Sequence, residues 1–97
     1  MSIDIFSKIY AKKDNIVSRK IAGELFLVPV SGKLADMQRI FTLNPVAEYI
    51  WEEMDNKKSL NDICNRVVSF FEIERKQAES DVREFITELL DADLIRE

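Results

Sequence analysis

The spacing of apolar residues divides the chain into a strand-forming half and a helix-forming half. Ile16 to Ile21 and Glu24 to Val30 flank Ala22-Gly23, a two-residue connection whose glycine is free to take positive φ, so the pair reads as a β-hairpin. Leu25-Phe26-Leu27-Val28 is apolar on both faces, which predicts a middle strand, with Pro29 near its end where a missing amide does least harm. Ser31 to Met37 reads as a polar loop and Gln38 to Leu43 as a third strand. On that strand Arg39, Phe41 and Leu43 share one face, and Ile40 and Thr42 share the other.

At Asn44 the period changes. Its side-chain oxygen can accept a hydrogen bond from the first turn of a helix, and Pro45 has φ already set for the first helical position. Val46, Ala47, Ile50, Trp51 and Met54 then recur at helical spacing, which places Trp51 in the core. After a turn at Asp55 to Lys58, Ser59 with Asp62 forms a capping-box pattern. Leu60, Ile63, Cys64, Val67, Val68 and Phe71 trace the apolar face of a second helix. A last helix carries Ala78, Val82, Phe85, Ile86, Leu89 and Leu90 inward and Glu79, Arg83, Glu84 and Glu88 outward. It gives out near Asp91 to Asp93, and Leu94-Ile95 reads as a tail folded back on the core.

The order of elements predicts an α+β, winged-helix-like fold: a three-stranded antiparallel sheet followed by three helices. Residues 16–97 form the domain and residues 1–15 an N-terminal arm. Ile3, Ile5, Phe6, Ile9 and Tyr10 in that arm fit neither period, which leaves open a short helix, an extended arm on the domain, or a segment lent to a second copy.

Composition narrows the chemistry. The 97 residues hold no histidine and a single cysteine, Cys64, so histidine-based acid-base catalysis, histidine-metal sites and an internal disulfide are excluded, and no metal or cofactor site is expected. No nucleophile-base pair or catalytic residue stands out, and the chain reads as non-enzymatic. No apolar run reaches the length of a membrane span and no signal-peptide pattern opens the chain, so a cytoplasmic protein without membrane contact is expected. Net charge is −4, and residues 72–97 carry nine acidic against four basic side chains. That balance opposes nucleic-acid binding and suits a partner with basic residues.

The run around the period change also carries a resemblance. Leu43-Asn44, two residues, Ala47, two more, then Ile50-Trp51-Glu52 is similar to the core motif of the PqqD family, named for pyrroloquinoline quinone cofactor biosynthesis and also called RiPP recognition elements. The likeness extends from about Val17 to Ile95. It implies a peptide-binding adaptor that captures the leader segment of a ribosomally made precursor peptide by β-strand addition and presents it to a peptide-modifying enzyme, in several pathways a radical SAM protein. Carried onto this chain, it implies an edge at Ile40, Phe41 and Thr42 and a helical wall at Val82, Phe85, Ile86 and Leu89. Each of the four wall residues can equally be core. Arg39 and Arg83 either meet acidic leader residues or stay solvated.

The unpaired row of amides and carbonyls expected between Ile40 and Leu43 carries neither charge nor proline to blunt it. It either accepts a visiting strand or is covered by the chain itself. Two other readings stay open: an assembly protein that makes a homodimer through the same edge or the arm, and a winged-helix DNA binder, for which the second helix offers only Arg66.

Overall fold

The computed structural model describes residues 5–97, with Leu34 and Asp36 described by their backbone only. A turn of 3-10 helix at Ile5–Ser7 leads into β1 (Ala11–Lys12), followed by β2 (Ile16–Ile21), β3 (Glu24–Pro29), α1 (Lys33–Asp36) and β4 (Phe41–Leu43). The chain then forms α2 (Pro45–Glu53), α3 (Leu60–Phe71), α4 (Arg75–Asp91) and β5 (Ile95–Arg96). Strands β2, β3 and β4 make an antiparallel sheet in that order, with β3 in the middle as its two apolar faces predict. Ala22 and Gly23 both take positive φ, 51° and 82°, giving the mirror-image turn whose twist matches that of the strands it joins.

The third strand is shorter than the sequence reading, starting at Phe41 rather than Gln38. Two features account for this. Extending the register from Leu27↔Phe41 sets Pro29 opposite Arg39, and proline has no amide to continue the ladder. Gln38 also sits at φ 55°, turning the chain out of extended geometry just before the strand. The expected polar loop contains one helical turn, α1.

Asn44 caps α2 as the sequence indicates: its Oδ1 accepts from the Ala47 amide at 2.8 Å, with Pro45 in the first turn. The Ser59 hydroxyl accepts from the Asp62 amide at 3.2 Å and the Asp62 carboxylate from the Ser59 amide at 3.3 Å, completing the capping box at the start of α3. At the end of α4, Asp93 stands at φ 59° where glycine is usual. The Asp93 amide donates to Leu90 and the Leu94 amide to Leu89, each at 3.0 Å, and this pattern turns Leu94 and Ile95 back into the core.

One core lies between the inner face of the sheet (Leu25, Leu27, Leu43) and the helices, which contribute Ile50, Trp51, Leu60, Ile63, Cys64, Val67 and the buried stripe of α4. Trp51 belongs to it. Burial pushes the Cys64 thiol above its ordinary pKa, as for a small core side chain. The described part of the N-terminal arm joins the same core: Phe6 and Tyr10 are buried, β1 pairs with β5, and the Leu60 amide donates to the Lys8 carbonyl at 3.0 Å. Of the arrangements left open for this segment, it is packed on the domain. Ile3 lies outside the described residues.

Candidate functional site

The two-residue turn fixes which backbone groups point where. In such a hairpin the closing pair, Ile21 and Glu24, exchanges hydrogen bonds, and bonded pairs then recur at every second position. Glu24, Phe26 and Val28 therefore bond toward β2. The 2.9 Å bond from the Val30 amide to the Asn15 carbonyl continues that parity beyond the strand. Leu25 and Leu27 must then bond on their other side, to Leu43 and Phe41, their partners in β4.

It follows that the amide and carbonyl of Thr42, opposite Phe26 in an unbonded pair, point away from the sheet. No described strand pairs with β4 on that side, since the arm has gone to β5 instead. The chain thus presents an open antiparallel edge centred on Thr42, which is exposed, and Ile40 beside it is 56% exposed.

The open edge borders a groove of about 270 Å³ lined by Thr42, Leu43 and Asn44 from one wall, Val46, Ala47 and Ile50 of α2 at its base, and Asp81, Glu84, Phe85 and Glu88 of α4. At 100° per residue those four α4 positions fall within about 100° of arc. The core stripe Ala78, Val82, Phe85, Ile86 and Leu89 overlaps that arc only at Phe85. Of the four wall positions suggested by sequence, Phe85 alone lines the groove, at 6% exposure, while Val82 (0%), Ile86 (0%) and Leu89 (1%) lie beneath it as core.

At the edge, Ile40, Phe41 and Thr42 are consecutive and β4 itself begins at Phe41. Phe41 is half-buried against the core, and the Arg39 guanidinium lies 5.0 Å from the centre of its ring. The Arg83 guanidinium lies 5.0 Å from the Phe6 ring, on a different face of α4 from the groove. Asp81, Glu84 and Glu88 join the lining beyond the positions that the resemblance implies, and their three- and four-residue spacing beside Phe85 is the signal for them in the sequence.

Two other surfaces differ in kind. β2 is also an edge, but it carries Arg19 and Lys20, and the Lys20 ammonium is paired with Glu48 of α2 at 2.9 Å. A wider depression of about 640 Å³ over Tyr49, Lys58, Asp62, Asn65, Arg66, Ser69 and Phe70 has no open strand along it. On α3, the helix a DNA-binding reading would require, Arg66 is the only Lys or Arg and stands 3.7 Å from Glu53. Among the described residues no group of His, Cys, Asp and Glu is arranged to hold a metal, and no helix is long and apolar enough to cross a membrane.

The fold and this edge define a class, small α+β winged-helix-like domains with an antiparallel strand left open beside a helix. The chain belongs to the PqqD family, described as "Coenzyme PQQ synthesis protein D (PqqD)", which matches residues 24–95. Two solved structures are similar to it. "TbiB1 in Complex with the TbiA(beta) Leader Peptide" shares 24% identity over 88% of this chain and 93% of that one, with a TM-score of 0.72. "Lasso peptide synthetase B1 complexed with the leader peptide" shares 19% identity over 93% of this chain and 100% of that one, with a TM-score of 0.75. No match was found among curated proteins.

Proposed function

We propose that this chain is a leader-peptide-binding adaptor, a RiPP recognition element that takes up an extended precursor segment as a fourth strand along β4. The observation that carries this reading is the outward-facing backbone at Thr42 beside a groove whose apolar lining includes Ala47, Ile50 and Phe85. Backbone bonds to the edge supply affinity that tolerates sequence change, and alternate peptide side chains entering the groove supply selectivity. Family membership and two similar folds whose names include a leader peptide support it. Ile40, Phe41 and Thr42 form the receiving edge, Arg39 flanks it, and Phe85 is the contact from α4. Val82, Ile86 and Leu89 hold α4 at its distance from the strand and act on the peptide only through that spacing.

The adaptor performs no chemistry itself and hands the bound precursor to a peptide-modifying enzyme in the cytoplasm, of which a radical SAM protein is one class. Calorimetric titration with synthetic leader segments of candidate precursor peptides tests the reading. A Kd of about 10 μM or below, about 7 kcal/mol or more of binding free energy, is expected. Absence of heat with about 100 μM peptide would overturn it.

A further inference from the structure

The groove carries a charge that the strand-addition reading leaves unexplained, and the inference drawn from it rests on that reading. Asp81, Glu84 and Glu88 stand along the α4 wall, and no Lys or Arg is among the groove's lining residues. Among the described residues none of the three has an ion-pair partner, and the one side-chain contact among them is the Gln77 amide donating to Asp81 at 2.8 Å. No basic group of α4 lines the groove: Arg75 is bonded to Glu79 at 3.0 Å, Arg83 covers the Phe6 ring, and Lys76 is not among its lining residues.

Spacing along the two elements converts this into a sequence preference. Glu84 and Glu88 are about 6 Å apart along the helix axis and Asp81 and Glu88 about 10.5 Å, at 1.5 Å per residue. Side chains on one face of an added strand recur about every 6.7 Å. Three successive positions on the face turned toward α4 thus span about 13 Å, which bracing lysine or arginine side chains can match to the acidic stripe. Phe85, Ala47 and Ile50 form the apolar part of the same groove.

We propose that the peptide recognised here carries a basic residue, an apolar residue and a second basic residue at alternate positions, the apolar side chain entering beside Phe85 and the cations meeting Asp81, Glu84 and Glu88. Such pairs at a partly solvated wall are individually weak, so they select among peptides rather than supply the bulk of affinity.

A random dodecapeptide display library, selected on the full chain, tests this without a known precursor. Enriched peptides are then measured by fluorescence anisotropy against the wild type, Thr42→Pro, the pair Glu84→Gln with Glu88→Gln, and the pair Glu72→Gln with Glu74→Gln as a control of equal charge change away from the groove. The expected result is enrichment of Lys or Arg flanking an apolar residue at alternate positions. Binding should weaken about 3- to 10-fold in the groove pair and stay unchanged in the control pair. Peptides that lose binding to Thr42→Pro but show no basic excess and ignore the groove pair would overturn the charge inference and leave strand addition standing. Failure to enrich any peptide, or enrichment of peptides indifferent to Thr42→Pro, would overturn both. An equal loss in the two charge pairs would reduce the effect to net charge and also overturn the inference.

Discussion

Replacing Thr42 by proline isolates the open edge from the rest of the fold. The parity of the hairpin sends the Thr42 amide outward, so proline at this position removes no hydrogen bond from the β3–β4 ladder. Phe41, the residue before it, is already in a strand, the conformation that a following proline favours. Helical circular dichroism should therefore be retained. For an added strand the loss is twofold: the amide that would donate is gone, and the peptide carbonyl facing it is left unpaired against the ring. An unpaired carbonyl of that kind costs about 1–3 kcal/mol, equivalent to about a 5- to 150-fold rise in Kd. Ser18→Pro supplies the matched control. Ser18 lies opposite Leu27 in an unbonded pair of β2, so its amide also points outward, but from the opposite edge of the sheet. In anisotropy titrations with the same labelled peptide, Ser18→Pro should bind within about two-fold of wild type. Unaltered binding by a folded Thr42→Pro chain, or an equal loss in Ser18→Pro, would refute the placement of the peptide on β4.

Three further outcomes test the fold around the site. Asn44→Ala leaves an amide of the first turn of α2 without its cap and should cost about 1 kcal/mol, lowering Tm by about 4–8 °C in a thermal melt. The Asp55 carboxylate is held well below its ordinary pKa of 3.8 by the side chain of Lys58 and by the Lys58 and Lys57 amides. Its folded-state pKa being depressed, its contribution to the turn before α3 is complete above the ordinary carboxylate range and is lost as pH falls through the lower value. The carboxyl carbon resonance of Asp55 should accordingly titrate below 3.8, and Lys58→Met should move the midpoint upward. Cys64, buried and with its thiol pKa raised by burial, should react with a thiol reagent at neutral pH only after denaturant is added; prompt reaction in the native state would contradict its place in the core.

Local chemistry along the chain was enough to set the hairpin and the three long helices. The Ala22-Gly23 turn, the Asn44-Pro45 start of α2, the Ser59/Asp62 box and the apolar stripe of α4 each depend on residues within a few positions of one another, and each forms as the sequence indicates, except that Leu90, expected inward on that stripe, is 40% exposed at the end of the helix. The Leu-Asn to Trp motif identified the family for the same reason, being a strand end and a helix cap in one run.

What depends on residues far apart in sequence emerged only in three dimensions. The length of β4 follows from Pro29 lying across from Arg39. The arm could have covered the edge, and its pairing with β5 is a contest between two distant strands that periodicity does not settle. The four apolar positions of α4 look alike in one dimension, because a helix buries its stripe against whatever stands nearest. Phe85 stands at one margin of that stripe, and only the placement of β4 along this flank of α4 puts it at the groove, leaves Val82, Ile86 and Leu89 beneath as core, and turns three carboxylates from a solvated face into a wall.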